Sequence, residues 1–477
     1  MKFDPEHPDG DALRRPPRYR WLIRVAAAYL LFFAALVGVW FWWDANARAK
    51  LDAKIAALKA AGEPTRIEDF AVASVADELN AEHALALGAP LIVEYIDYSV
   101  PGIDGVFCSD LALCRELPDL HNAFIAANRE ALCRLRDARE LDRASQSPIG
   151  PTYSQYRQYA KLAAAAANHA HVRLNDAAAI EYLRDGLALS RILSEARTPT
   201  LINELVGMAM DALTCQAARQ IAAGLDVVDD AQGHSAGPAR RRDVERLIGE
   251  LLDESSLAGR FQDAIRAERI QTSGWLGLLP GGGGPGGPTP AGWSLIRPSL
   301  QHEGGMILDY MVAMTDAVAA QTLPEARRRM PPFPFRDGDV GGIEVVATIG
   351  RRIVLFDMRR VFESYFEQRA TRRATALALA IRLYEIDNGE RPARLDDLVP
   401  RYLAAVPDDP FAEGHQPIRY RTGEGACLYS FGANAIDDGG AAQESRRDEL
   451  IYPLDPVADW TLLRQFPGLL ERAADEP

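Results

Sequence analysis

Cysteine and histidine are scarce, at five and eight residues in a chain of 477. No two cysteines form a Cys-x-x-Cys pair, and no cysteine and histidine set has the spacing of a zinc site. Cys108 and Cys114, in CSDLALC, are close enough to pair in an oxidising compartment. Cys133 and Cys215 sit in apolar helical contexts, where a cysteine fills core volume. Positive charge is also in deficit. Lys and Arg number 53 against 67 Asp and Glu, a net charge of −14, so a nucleic-acid partner is not expected. The arginine runs ARRRD (239–243) and ARRRM (326–330) are short and read as solvated faces.

Catalytic signatures are missing as well. Ser109 and Ser190 stand outside any Gly-x-Ser-x-Gly turn. His169 and His171, in NHAHV, are two apart on an expected helix and so point in different directions. The adjacent acids of LDDL (395–398) and PDDP (407–410) suit capping or solvation. The glycine-rich GWLGLLPGGGGPGGPTPAGW (274–293) lacks the Lys followed by Ser or Thr of a phosphate loop, which leaves a linker or surface loop.

Long apolar runs are limited to one. WLIRVAAAYLLFFAALVGVWFWW (21–43) is apolar except for Arg24 and is long enough to span a bilayer. Trp21 at one end and Trp40, Trp42 and Trp43 at the other fall where interfacial aromatics belong. The apolar stretch is longer than the core of a cleavable signal peptide, so a signal anchor is expected. Arg14, Arg15, Arg18, Arg20 and Arg24 put the N-terminus in the cytoplasm and the bulk of the chain outside it, on the inner membrane.

The remainder reads as helix. Residues 44–272 form an expected helical body. In it, PDLHNAFIAANREALCRLRDARELD opens at Pro118, and Asn175 or Asp176 caps NDAAAIEYLRDGLALSRILSEA. Thr198 and Pro199 fit the cap and first position of a further helix that stops at Gly224 and sets Leu201, Leu205, Ala209 and Leu213 on one face. Residues 273–341 are expected to be a Gly/Pro-rich linker and irregular region. A long helix then runs from about 342 to 387, where Asp387, Asn388 and Gly389 stop it. After the stop come a short helix at 395–398, the extended VPDDPF, and two strand-like pieces, PIRYR and ACLYSF, joined by TGEG in a hairpin.

The order of Asn388, Gly389 and Pro392, then Asp409, Pro410 and Phe411, then Tyr420, Tyr429, Ser430 and Gly432, then Asp437 and Asp438, resembles the C-terminal half of the major pseudopilins of type II secretion systems. The same ending is similar to that of membrane-anchored proteins of unassigned function in planctomycete-like bacteria. The resemblance implies a small α+β module over the end of 342–440, closed by an acid-rich loop that holds structural calcium. Ser430, Asn434, Asp437 and Asp438, in SFGANAIDDGG, would supply the side-chain oxygens. In a pseudopilin the apolar helix carries a glutamate and runs directly into this domain. Here Arg24 stands in the apolar helix and residues 44–341 intervene, which favours a shared fold over assembly into a fibre.

The expected architecture is therefore mainly α: a cytoplasmic tail (1–20), a transmembrane helix (21–43), a helical extracytoplasmic body, the α+β module and a C-terminal tail (441–477). The expected role is structural or protein-interacting at the cell envelope, with a protein partner and no catalytic signature. The alternatives are an extracytoplasmic hydrolase with a site assembled from scattered residues, and a secretion-associated accessory protein.

Overall fold

Helix-forming alanine and leucine set the architecture, and the computed structural model is mainly helical with two small sheets. It describes residues 17–93, 111–229, 237–275, 293–331, 358–440 and 449–455. The helices are α1 (Pro17–Ala60), α2 (Ala81–Gly88), α3 (Leu111–Glu116), α4 (Pro118–Ala127), α5 (Arg129–Glu140), α6 (Tyr153–Val172), α7 (Asp176–Ala196), α8 (Leu201–Ala222), α9 (Arg241–Leu252), α10 (Leu257–Trp275), α11 (Trp293–Ala317), α12 (Leu323–Arg329) and α13 (Met358–Asn388). Strands β1 (Val227–Val228) and β2 (Ala239–Arg240) form a short parallel pair. Strands β3 (Arg419–Arg421), β4 (Cys427–Ser430) and β5 (Leu450–Pro453) form an antiparallel sheet with β4 central.

Contacts divide the chain into two units, Met1–Glu63 with Ser273–Leu308, and Pro64–Thr272 with Asp309–Pro477. The first is built on α1, 44 residues long. Among the described residues α1 is the one helix long and apolar enough to cross a membrane or to serve as a signal sequence, and no residue of its apolar stretch is buried. Beyond that stretch α1 acquires partners. Asp44 pairs with Arg297 of α11, and Leu51 and Ile55 pack with Leu308.

The second unit is a helical array around α6, α7 and α8. The alanines of α6, Ala163 to Ala167, are all buried and let neighbouring helices approach closely. Gly186 of α7 serves the same end, since a Cβ there would lie 2.5 Å from Thr214 Oγ1 of α8. Helix caps follow the side chains available. Asn175 accepts from the Ala178 amide as expected, and Thr152 forms a capping box with Gln155. The start of α8 lies two residues beyond the expected one. Thr200 is its cap, accepting from the Asn203 amide, and the Thr198 carbonyl instead receives the Asn203 side chain.

The inward face of α8 also differs from the expected stripe. Ala209 is exposed, Leu205 and Leu213 are half-buried, and Glu204, Met208, Asp211, Thr214 and Cys215 are buried. Within 273–341, expected to be irregular, the chain forms α11 and α12. The glycine-rich 281–287, Cys108 and residues 342–357 of the long helix lie outside the described residues, and Cys114 is buried. The described part of that helix is α13, which ends at Asn388 with Gly389 left-handed. The expected hairpin is β3–β4. β5, within the expected C-terminal tail, joins it as a third strand. Leu428 and Tyr452 of this sheet share one core with Leu377, Ile381 and Leu383 of α13.

Gly186→Val is expected to destabilise the second unit by about 1–3 kcal/mol through overpacking against Thr214. Adding Thr214→Ala should restore part of the loss. Urea unfolding of the two variants checks both expectations, and equal stabilities would contradict the close approach of α7 and α8.

Candidate functional site

The loop SFGANAIDDGG leaves β4 in a backbone that neither helix nor strand tolerates. Gly432, Ala435, Gly439 and Gly440 all have left-handed φ, between 58° and 77°. Two carboxylates pin it. Asp409, fully buried, accepts from the Ser430 hydroxyl at 2.6 Å, the Phe431 amide at 3.0 Å and the Phe411 amide at 2.8 Å. The Glu449 carboxylate, just before β5, accepts from the amides of Asp438 at 2.6 Å and Gly440 at 2.8 Å. From α12, Arg327 donates to the Ala433 carbonyl at 2.7 Å. Burial pushes the Asp409 carboxyl above its ordinary 3.8, and its three hydrogen-bond donors hold it back.

The four residues expected to bind calcium differ in burial along the loop. Ser430 is inside, donating to Asp409, whereas Asn434 and Asp437 are exposed and Asp438 is half-buried. Asn434 accepts from the Ile436 amide. Asp437 accepts from the Gly439 amide and the Tyr429 hydroxyl, and approaches Arg419 at 3.8 Å. Among the described residues no group of three or more His, Cys, Asp or Glu could hold a metal ion.

Three arginines of α13 tie it to the helical array, and one of them, Arg373, also reaches the C-terminal module. Arg369 and Arg373 share the carboxylate of Glu254, each at 2.7 Å, and Arg373 also donates to the Asp408 carbonyl at 2.7 Å. Burial alone would raise the Glu254 carboxyl, but Arg373 and Arg369 hold it below its ordinary value. Arg372 donates to Asp211 of α8 at 2.8 Å and to the backbone carbonyls of Glu250 and Leu251 at the end of α9. Gln368 also donates to Asp211, at 2.7 Å. About two turns further along α8, Arg219 donates to Thr375 and lies 5.0 Å from the ring centre of Tyr452 in β5.

Two further groups have the chemistry of acid–base pairs. Ser194 donates to Glu204 at 3.0 Å, and burial holds the Glu204 carboxyl above its ordinary value. His171 lies 2.6 Å from Asp176, whose other oxygen accepts from the Asp226 amide. His169 contacts Asn122 instead, so the two histidines of NHAHV part as their spacing predicts. These pairs hold α6, α7 and α8 in register. Sequence reasoning missed Glu449 and the arginine seam. The available signal was RATRRAT, three arginines directly before the apolar run ALALAI.

No family model, curated protein or solved structure matches this chain.

Asp409→Ala is expected to cost about 3 kcal/mol, because it leaves buried donors without an acceptor. The folded chain keeps the Asp409 proton to a higher pH than the unfolded chain. This group therefore favours folding below pH 3.8 and loses that contribution as pH rises through its folded value. Asp409→Asn removes the titration. The stability advantage of the wild type over Asp409→Asn should shrink as pH rises from 3.8, measured by urea unfolding across pH. A constant difference would contradict the raised value.

Proposed function

We propose that this is a single-pass membrane-anchored protein of the cell envelope with a structural or protein-interaction role. Its N-terminus is cytoplasmic, and its helical body and C-terminal module meet a protein partner outside the inner membrane. The observation that carries the reading is the exposed apolar run of α1, where Leu30, Leu31, Phe32 and Phe33 are each at least 63% exposed. A helix apolar on all sides and free of protein neighbours needs lipid as its solvent. Buried acids and arginines that satisfy one another favour a scaffold over an extracytoplasmic hydrolase, for which Ser194 with Glu204 is the available pair. An accessory role in secretion rests on the pseudopilin resemblance alone.

Alkaline extraction of native membranes, followed by N-terminal sequencing, tests the anchor. The chain is expected in the pellet with residues 21–43 retained. A released chain beginning beyond residue 43 would make the segment a cleaved signal and overturn the reading.

Calcium, the ligand the resemblance implies, falls in this reading to Ser430, Asn434, Asp437, Asp438 and loop carbonyls. The expected outcome is a melting temperature higher in calcium than in chelator, with the difference lost when Asp437→Ala and Asp438→Ala are combined. Identical melts would remove calcium from the account.

A further inference from the structure

Arg219 of α8 is a cation that no carboxylate meets among the described residues. Its half-buried guanidinium makes one hydrogen bond to them, from Nη1 to the neutral Thr375 Oγ1 at 2.9 Å. Other arginines that leave water in the second unit pair with acids. Arg184 reaches Glu250 at 2.7 Å, Arg197 reaches Glu82 at 3.0 Å, Arg372 reaches Asp211 at 2.8 Å, and Arg369 and Arg373 share Glu254. Burial pulls the Arg219 guanidinium below its ordinary value. Burial acts the same way on Arg184, Arg197 and Arg372, but their carboxylate partners lift all three above theirs. An arginine stays charged at ordinary pH, so Arg219 leaves a positive charge that its neighbours do not balance.

The groups around it are neutral and rich in donors. The guanidinium lies 5.0 Å from the ring centre of Tyr452, whose π face attracts the charge without neutralising it. Cys215, one turn earlier on α8, supplies no anion, because burial pushes its thiol up to about 11. Thr375 donates to the Thr371 carbonyl at 2.7 Å and so meets Arg219 only as an acceptor. The Thr371 and Tyr452 hydroxyls lie 3.2 Å apart and hold two hydrogens, one of which serves the contact between them. The second has no acceptor among the described residues, and neither do Nε and Nη2 of Arg219. Nε and Nη2 form one edge of the guanidinium, and Arg373 shows what that edge takes. There it grips both oxygens of Glu254, at 2.7 and 2.8 Å.

We propose that Arg219, with the Thr371–Tyr452 hydroxyl pair, binds a small oxyanion where α8, α13 and β5 meet. The open edge of the guanidinium takes two oxygens of the ligand, and the spare hydroxyl hydrogen serves a third. The ligand class is a phosphate, a sulfate or a small carboxylate, which share this oxygen chemistry. Binding balances the guanidinium and holds β5, through Tyr452, against the two helices. Occupancy and the stability of the C-terminal module are therefore linked. The inference is independent of the membrane reading, since every residue in it belongs to the second unit.

The test melts the full chain in detergent while inorganic phosphate, sulfate or acetate replaces chloride at constant pH and ionic strength. The expected result is a saturating rise in melting temperature that is absent in Arg219→Met. Tyr452→Phe keeps the ring and loses the hydroxyl, so its rise should need a roughly tenfold higher ligand concentration. A rise with phosphate and sulfate alone makes the ligand tetrahedral, and a rise with acetate alone makes it a carboxylate; either supports the site. No rise with any of the three overturns it. So does an equal rise in Arg219→Met, which would be a general effect of the salt. Should Arg219→Met fail to fold, Tyr452→Phe decides, and an unchanged concentration dependence in that variant overturns the proposal.

Discussion

Arg369, Arg372 and Arg373 lie on one helix, and the array they enter excludes most water from them. An arginine cannot shed its charge, so each guanidinium needs acceptors supplied by neighbouring chain. Arg372 takes Asp211 from α8 and carbonyls from the end of α9, and Arg369 and Arg373 divide Glu254 between them. These requirements fix α13 against α8 and α9 more narrowly than apolar contact would. They also reach the C-terminal module, because Arg373 holds the Asp408 carbonyl. Breaking such a buried pair by removing one partner typically costs about 3–5 kcal/mol, since the survivor is left charged and unpaired.

The same economy explains the acid-rich loop that interrupts a helical protein. A chain leaving β4 with four left-handed residues in eleven cannot satisfy its amides through a ladder or a helix. Asp409 and Glu449 provide the missing acceptors from outside the loop, one from the extended segment before the hairpin and one from the approach to β5. The loop thereby ties three separate pieces of the module together. Its outward acids, Asp437 and Asp438, are the part left over for solvent or for an ion.

Elements fixed by local chemistry were legible in the sequence. The Asn175 cap, the α13 stop at Gly389 and the β3–β4 hairpin each follow from residue types that favour one backbone state. Elements fixed by distant partners were not. The buried face of α8 carries Glu204 and Asp211, residues that a search for an apolar stripe assigns to solvent. β5 is four residues long, and its pairing with β4 is what defines it. Glu449 reads as an ordinary acid in ESRRDEL until the loop it caps is seen. In the candidate site, Asp409 was legible through its place in the DPF element, and its bond from the Ser430 hydroxyl was not.

Arg373 of α13, bonded to Glu254 on one side and to the Asp408 carbonyl on the other, joins the C-terminal module to the helical array as one cooperative unit. Hydrogen exchange of the full chain, comparing wild type with Arg373→Met, tests it most directly. The account predicts faster amide exchange on both sides of the lost guanidinium, around Glu254 and across residues 405–411, with the two regions rising together. Exchange that rises only within α13, or not at all, would contradict it.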